Sequence, residues 1–437
     1  MSKNIGIGLI GLGTVGNGVH KIIVSPNGRN PLVSRLSVSK IAVKDIEKQR
    51  ENSVPLSKLT TDPYEVVKDE SVDIVVEMIG GLEPARSIIL EAIKNGKSVV
   101  TANKAVIARF GQEISLAAKE KGVYVLSEAS VGGGIPIIEP LKQSLGANKI
   151  NKVSGIINGT TNYILSQMAS KGVGYENALK EAQNLGYAEA NPSSDVEGLD
   201  AADKISILSS LAFGGSINRS RINTIGIDKL KSKDMDFASK LGYTIKLLAQ
   251  AENINNQDQN SQSISLGIWV EPTLIPNEHP LASVNDVFNA ILVEGDPIGE
   301  VMFYGPGAGA GPTASAVVAD ILNIASLMNS EKNRDLDFLL SYSSWRQCKI
   351  LDPTNIKQKN YIRLITEDSP GVIGKIGSLF GENNVSIESI VQFDLTNNLA
   401  EIVVITHEVT RGNIEKSLEK IQNLSEVNSL ESRMGCL

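Results

Sequence analysis

Ile5 to Ile10 is a short apolar run that ends on Gly11-Leu12-Gly13-Thr14-Val15-Gly16, and a helical pattern through Val19, Ile22 and Ile23 follows. A G-x-G-x-x-G set after a strand and before a helix predicts a βαβ unit whose first turn faces a dinucleotide, the alternative being a glycine-rich turn that only packs a helix on a strand. The glycines permit a tight turn and close backbone approach, and the helix N-terminus attracts the pyrophosphate. Further strands are expected near Val38 to Val43, over Val72 to Ile79 ending at Gly80-Gly81, and at Ser98 to Val100 closing on Thr101-Ala102-Asn103-Lys104. A helical pattern through Ile88, Leu90, Ala92 and Ile93 separates the last two. Strands alternating with helices predict a parallel, doubly wound sheet with its ligand beyond the strand C-termini, where Gly80 and Lys104 fall.

The end of the second strand bears on which dinucleotide is taken. An NAD site normally carries Asp or Glu there for the ribose hydroxyls. Here the strand ends Ala42-Val43-Lys44, with Lys48 and Arg50 close behind. A cation suits a 2′-phosphate, so NADP(H) is favoured. A shift of one residue would bring in Asp45 as an acidic ribose ligand, which keeps NAD(H) as the alternative.

At 437 residues the chain is too long for one core, and two or three domains are expected. A net charge of −7 argues against nucleic acid as the main partner. Two cysteines, Cys348 and Cys436, make no disulfide framework, the start carries no signal peptide, and no apolar stretch is read as reaching the ~18 residues of a membrane span. A cytoplasmic protein is expected. His20, His279 and His407 are far apart in sequence and read as solvated surface residues rather than metal ligands.

The middle of the chain holds the densest chemistry. Val123 to Leu126 leads into Glu128-Ala129-Ser130-Val131-Gly132-Gly133-Gly134-Ile135-Pro136, an irregular stretch with Pro136 placed to start a helix. Irregular backbone exposes carbonyl oxygens that hard cations accept, although a hinge between domains explains the same residues. Lys152 to Ile157 reads as a strand leading to Asn158-Gly159-Thr160-Thr161-Asn162, with a threonine capping the next helix. Gly186 ends a helix, and a serine near Pro192 is expected to cap another. On that helix Asp200, Lys204, Ile207 and Leu211 form one row, so the Asp200/Lys204 pair shares its face with large aliphatics. A lysine so placed, with Glu189 and Asp195 in the preceding loop, can hand a proton to a substrate oxygen; the alternative is an ordinary surface ion pair. A second glycine-rich loop, Gly305 to Pro312 with Gly309 at its centre, precedes a long helix and could reach the cofactor from the opposite wall.

Gly-Leu-Gly-Thr-Val-Gly, Thr-Ala-Asn-Lys-Ala, Glu-Ala-Ser-Val-Gly-Gly-Gly-Ile-Pro, Asn-Gly-Thr-Thr-Asn, Gly-Tyr-Ala-Glu…Asp…Gly-Leu-Asp…Lys and Gly-Ala-Gly-Ala-Gly-Pro-Thr-Ala-Ser-Ala occur in that order. In this the chain resembles homoserine dehydrogenases over nearly its whole length, and the absence of an aspartokinase-like segment before Met1 suggests the monofunctional form. The resemblance implies interconversion of L-homoserine and L-aspartate 4-semialdehyde with NAD(P)(H), in threonine, methionine and isoleucine biosynthesis. It implies Lys204 as proton donor and acceptor, with Glu189 and Asp200 binding the substrate ammonium and orienting Lys204. Asp195 is a further acid of the site, Lys104 lies near cofactor and substrate, and Gly186 belongs to the substrate loop. The carboxylate of an amino-acid substrate needs donors, such as the Thr160 hydroxyl or backbone N–H groups. Glu128, Val131, Gly133 and Ile135 match positions whose backbone oxygens hold a monovalent cation, sodium in the first instance.

Asp352-Pro353 to Asn360 reads as a linker. Beyond it a strand at Tyr361 to Ile365, a helix from Asp368-Ser369-Pro370-Gly371-Val372, strands at Val385 to Ile390 and Ala400 to Thr406, a helix from Gly412 to Ile421 and a strand at Val427 to Ser432 give β-α-β-β-α-β. The D-x-P-G-V start resembles ACT domains, which implies feedback inhibition by threonine; a packing or dimerisation appendage is the alternative. The expected architecture is a Rossmann-type domain over 1–130 completed by the 312–330 helix, a mixed α/β catalytic and dimerisation domain over 131–350, a linker over 351–360 and a ferredoxin-like ACT domain over 361–437. A homodimer or homotetramer is expected. A catalytically silent amino-acid sensor is the rival reading, and the retained Glu189, Asp200 and Lys204 weigh against it.

Overall fold

The structure, a computed structural model, describes residues 4–48, 54–240, 242–253, 265–330, 353–355, 357–394 and 398–436. Arg50 and Cys348 fall outside them. The chain divides into two units, Met1–Ser343 and Ser344–Leu437.

The first unit opens on a six-stranded sheet: β1 (Ile5–Ile10), β2 (Leu36–Ala42), β3 (Leu59–Thr60), β4 (Ile74–Glu77), β5 (Ser98–Thr101) and β6 (Val125–Leu126). All pairings are parallel and the order is β3-β2-β1-β4-β5-β6. This is the doubly wound order expected from the alternation, with its switch point between β1 and β4. Helices α1 (Thr14–Val24), α2 (Pro63–Lys68), α3 (Ala85–Lys94) and α4 (Lys104–Lys121) connect the strands. The strands are apolar at successive positions because both faces are covered. Ile74 and Val76 pack toward one cluster, while Val75 and Val99 pack toward another with Ile88, Ile89 and Val106.

A second sheet follows. After α5 (Ile138–Lys142) come β7 (Lys149–Ile156), α6 (Gly159–Lys171), α7 (Tyr175–Asn184), α8 (Ser193–Val196) and α9 (Leu199–Phe213). Then β8 (Asn223–Thr224), α10 (Ser232–Lys240), β9 (Tyr243–Asn253), β10 (Leu266–Pro276), β11 (Phe288–Asp296) and β12 (Gly299–Pro306) complete a sheet of order β12-β11-β7-β9-β10-β8. It is antiparallel except for the β8–β10 pair. Helices α6 and α9 bury Ile164, Leu165, Ile205 and Leu208 against Val153, Leu247 and Ala249 of this sheet.

The chain then returns to the first sheet as α11 (Ala310–Ser330). Ala314, Val317, Ile321 and Ile324 join the cluster that holds Ile7, Leu9 and Val19, so one face of the nucleotide-type sheet is closed by residues from the far end of the unit. Ala310–Met328 has a mean hydropathy of 1.3 over 19 residues, long and apolar enough to cross a membrane, which corrects the expectation that no stretch qualifies. Half of it is buried inside the protein, and that burial against α1 and the sheet accounts for its composition.

The second unit has β13 (Lys357–Glu367), α12 (Val372–Glu382), β14 (Ile387–Asp394), β15 (Leu399–Thr406), β16 (Val409–Thr410), α13 (Arg411–Gln422) and β17 (Val427–Cys436). The order β14-β15-β13-β17, all antiparallel, with two helices on one face is the expected ferredoxin-like arrangement. Alternation is strict in β15, where Ala400, Ile402, Val404 and Thr406 are buried beneath Ile376, Phe380, Ile414 and Ile421. Strand β13 opens at Lys357, so the latter part of the stretch read as a linker is already sheet.

Candidate active site

The glycine-rich turn lies at the β1/β4 switch point. Gly11 takes φ +101°, and its N–H donates to the Ala42 carbonyl at 2.9 Å. A Cβ at Gly16 would lie 2.4 Å from the Gly11 carbonyl oxygen, so only glycine lets α1 start so close to the strand. Gly13 is the reverse case: a Cβ there would meet nothing within 4 Å of protein, because the position opens on the cleft. That cleft measures about 1210 Å³ and is lined by Gly11, Leu12, Gly13 and Thr14 among others. Val15 and Gly16 turn inward instead, Val15 onto the core and Gly16 onto Gly11.

Around the cleft stand Lys21, Arg29, Lys44 and Lys48 against Asp45 and Glu83. Lys44 is exposed there, and Asp45 lies beside it with its carboxylate accepting the Glu47 N–H. Gly80, at φ +70°, forms part of the wall. Its turn is fixed by buried Glu77, which accepts the Ile79 N–H at 2.9 Å and the Thr101 hydroxyl at 2.6 Å. From α11 the cleft is bounded by Ala310, Gly311 and Ala314, with Gly309 one residue before them. Open backbone at Gly13, a helix N-terminus and a cationic rim fit a dinucleotide phosphate chain.

The second constellation is built of buried charge. Asp200, 2% exposed, and Lys204, 9% exposed, lie one turn apart on α9. Lys204 Nζ donates to Asp200 Oδ2 at 2.7 Å and to the Ile157 carbonyl at 2.7 Å. Lys104, the first residue of α4, pairs with the other oxygen of Asp200. Asn158 completes the group, its amide donating to Asp200 Oδ2 at 2.9 Å and to Asp195 Oδ1 at 2.7 Å. Burial alone would raise the Asp200 pKa; the ammonium groups of Lys204 and Lys104 outweigh it and hold this carboxyl well below the usual carboxylate range. Burial opposes the charge on Lys104, yet Asp200, Asp195 and Asp203 bring its pKa above that of an ordinary lysine. Asp195 is raised, by burial and then by the Asp200 charge, against the Asn158 hydrogen bond.

Local structure explains how these groups meet. Asn103 caps α4 and also donates to the Gly81 carbonyl at 2.7 Å, tying the start of that helix to the turn after β4. Asn158, rather than a threonine, caps α6, accepting from the Thr161 N–H at 2.9 Å while its amide reaches the aspartates. The expected serine cap near Pro192 is also absent. Residues 193–196 make a single turn without a side-chain cap, and Gly198 at φ +79° restarts the chain as α9. Asp200 thereby falls in the first turn of α9, where the helix dipole adds to its stabilisation as an anion.

Other expected residues stand differently. Glu189 is exposed, and the Gln183 amide reaches only its backbone carbonyl. Gly186, at φ +75°, follows α7 and is exposed. The Thr160 hydroxyl donates to the Tyr187 carbonyl at 2.6 Å. His20 is buried with its Nδ1 unpartnered, and burial followed by Lys58 lowers its pKa, so it is no surface histidine. His279 caps a turn through Nδ1, and His407 is exposed.

The triple-glycine loop has its own organisation. Glu128, 4% exposed, accepts the N–H groups of Ile137, Ile138 and Glu139 at 2.6, 2.9 and 2.7 Å, so its carboxylate satisfies the start of α5. That helix begins at Ile138 rather than at Pro136. The Glu128 N–H donates to Asp320 of α11 at 2.8 Å. The other Asp320 oxygen is buried without a partner, and burial, joined by Glu128 and Glu139, pushes its carboxyl up to about 8. Glu128, Glu139 and Asp320 bring ligand atoms within 4.8 Å of one another. Gly133 holds φ +56°, and a Cβ there would meet the Gly307 carbonyl at 2.4 Å. The Glu128 carbonyl accepts from Val131 at 3.4 Å, and Ile135 donates to the Gly132 carbonyl at 2.9 Å.

Comparison with known proteins bears on this geometry directly. Residues 136–322 match the homoserine dehydrogenase family, residues 11–128 its NAD binding domain, and residues 360–426 the ACT domain. A homoserine dehydrogenase of Synechocystis sp. is 52% identical over 427 residues, covering 98% of each chain. One from Bacillus subtilis is 40% identical over 434 residues, again covering 98% of both. The crystal structure of a homoserine dehydrogenase from Thiobacillus denitrificans aligns with a TM-score of 0.69 at 40% identity, covering 99% of this chain and 97% of that one. A hyperthermophilic archaeal homoserine dehydrogenase in complex with NADPH aligns at 0.61 and 28% identity, covering 74% of this chain and 98% of that one. With a dinucleotide-binding sheet, a buried lysine–carboxylate cluster and a terminal ACT domain in one continuous match, the chain belongs to the homoserine dehydrogenase family.

Proposed function

We propose that the protein interconverts L-homoserine and L-aspartate 4-semialdehyde, with NADP(H) preferred to NAD(H), on the route to threonine, methionine and isoleucine. The observation that carries this reading is Lys204, held by Asp200 and the Ile157 carbonyl in a buried site beside Lys104 and Asn158. The bound dinucleotide supplies or accepts the hydride; everything else falls to the chain's own groups. An ammonium has three N–H donors, and Lys204 spends two of them on Asp200 and Ile157. The third is left for the substrate oxygen, to which Lys204 gives a proton in reduction and from which it takes one in oxidation. Asp200, locked as an anion by two lysines, keeps Lys204 aimed; Lys104 stabilises negative charge developing on the same oxygen. Glu189 and Asp195 serve the substrate ammonium. With the Thr160 proton committed to Tyr187, the first-turn N–H groups of α6 are the better donors to the substrate carboxylate.

The cationic rim supports NADP(H), with Lys44 at the 2′-phosphate, and the NADPH complex of the archaeal relative points the same way. The unpartnered buried Asp320 oxygen beside Glu128 and Glu139 supports a monovalent cation, sodium, at the loop of Glu128, Val131, Gly133 and Ile135. The match of residues 360–426 to the ACT domain supports amino-acid binding by the second unit, with threonine as the ligand.

One set of initial rates tests the reading: oxidation of NADPH and of NADH with aspartate semialdehyde, for the wild type and Lys44→Ala, with and without L-threonine. NADPH should be preferred. The substitution should raise its KM roughly tenfold, the scale of one lost hydrogen bond to a charged group, and that of NADH less than about twofold. Equal losses would place recognition of the 2′-phosphate elsewhere, an unchanged rate with threonine would remove the regulatory role, and no turnover would favour the silent sensor.

A further inference from the structure

After α9 the chain turns back alongside it through residues 214–222 and meets α4. Between them lies a cavity of about 580 Å³ whose walls include Arg109, Ser216, Ile217, Asn218, Arg219 and Ser220. None of these residues lines the dinucleotide cleft. The two arginines are held by one buried acid: Asp203, 7% exposed, accepts from Arg219 Nε at 2.7 Å on one oxygen and from Arg109 Nη1 at 3.2 Å on the other. Each guanidinium has one further anchor, Arg219 Nη2 on the Leu199 carbonyl at 3.1 Å and Arg109 Nη1 on the Ala105 carbonyl at 3.2 Å.

A guanidinium carries five N–H donors. Arg109 Nε and Nη2 and Arg219 Nη1 therefore have no acceptor among the described residues, and one carboxylate balances two cations. Asn218 Oδ1 accepts both the N–H and the hydroxyl of Ser220, which leaves its amide protons unspent. A pair of arginine forks joined through one acid, Arg219 half-buried and Arg109 exposed at the mouth, short of one negative charge and beside a spare amide, is the complement of an oxyanion. The surplus is local, since the chain as a whole has a net charge of −7.

We propose that this cavity is a second ligand site, distinct from the cofactor and substrate positions, that binds a small oxyanion between Arg109 and Arg219. Its volume falls within the range of small-molecule pockets, so the anion is the head of a small metabolite of phosphate or carboxylate type. Asp203 directly precedes Lys204 on α9, which places the site in mechanical contact with the catalytic helix.

Calorimetric titration of the full-length protein with inorganic phosphate and, separately, with acetate tests this, with the dinucleotide cleft saturated with NADP+. One saturable site per chain is expected, at least tenfold weaker in Arg109→Gln, about threefold weaker in Asn218→Ala and unchanged in Lys149→Ala, at an exposed lysine that lines neither cavity. Tighter phosphate would assign a phosphorylated ligand, and tighter acetate a carboxylate. Absence of saturable binding, or equal affinity in the wild type and Arg109→Gln, would overturn the proposal. Should Arg109→Gln fail to fold, Arg109→Lys keeps the charge but not the fork, and wild-type affinity in that variant would overturn it equally.

Discussion

The dinucleotide cleft and the lysine–carboxylate cluster solve opposite problems. The cleft is shaped by what side chains leave out: Gly13 exposes backbone to a ligand, and Gly16 lets a helix abut a strand. The cluster is shaped by groups that ordinarily avoid burial, here Asp200, Lys204 and Asn158, made tolerable by mutual contact. A site of the first kind should be damaged by adding a methyl group. One of the second kind should be damaged by removing a charge, because that strands its partner.

The largest effect should come from the cluster. Lys204→Ala is expected to lower kcat by ~10²–10⁴, the usual contribution of a positioned proton donor, while NADP+ binding followed by fluorescence stays as in the wild type. Turnover at the wild-type level would take Lys204 out of the mechanism. In the cleft, the two glycines should separate. Gly16→Ala forces a Cβ to 2.4 Å from the Gly11 carbonyl, so thermal melting should show a loss of about 1–3 kcal/mol, typical of overpacking. Gly13→Ala has open space, so its Tm should hold while the KM for the dinucleotide rises. If Gly13→Ala melted early and Gly16→Ala did not, the division of roles between them would be wrong.

A second buried lysine sharpens the comparison. Lys246, 1% exposed, hydrogen-bonds to the Val284 carbonyl at 2.6 Å, Asn285 Oδ1 at 3.0 Å and Asn162 Oδ1 at 3.3 Å, all neutral oxygens. Burial lowers its pKa from 10.5 to about 8, with Asp286 opposing weakly. A lysine depressed in the folded state holds fewer protons there than in the unfolded chain between those two values. Stability should therefore rise as pH climbs from about 8 toward 10.5, by an amount of order 1–3 kcal/mol relative to Lys246→Met. Urea melts of both proteins across that range would show it. A constant difference would mean that Lys246 keeps its proton, as Lys104 does beside Asp200.

The two sites also differ in how far sequence alone exposes them. The cleft was legible because its signal is local: a strand, a six-residue glycine motif and a helix state the turn, and the strand order follows from alternation. Asp200 and Lys204 were legible as a pair at helical spacing. Lys104 was placed near the site only through the resemblance, and its pairing with Asp200, like that of Asn158, was not legible, because they reach Asp200 across sequence separations of 96 and 42 residues. Asn158 stood in view at a strand–helix junction, where asparagine commonly caps, and the neighbouring threonines hid it. Glu128 was read for its backbone, whereas its carboxylate caps α5, and Asp320 joins it from 192 residues away. The break at Gly198 went unread because a Gly one residue before a helical pattern looks like any flank. His20 was misjudged because a polar residue inside an amphipathic helix can face either way.

The late return of α11 has a consequence for how the chain comes into being. As the protein is synthesised, the N-terminal strands and α1 emerge first, yet the sheet face bearing Ile7 and Leu9 stays bare until Ala310–Ser330 has left the ribosome. The whole second sheet must be spun out in between. The newborn nucleotide-type half is thus a template awaiting its lid, and a nascent chain stalled before Ala310 should present a greasy surface to chaperones rather than a finished domain.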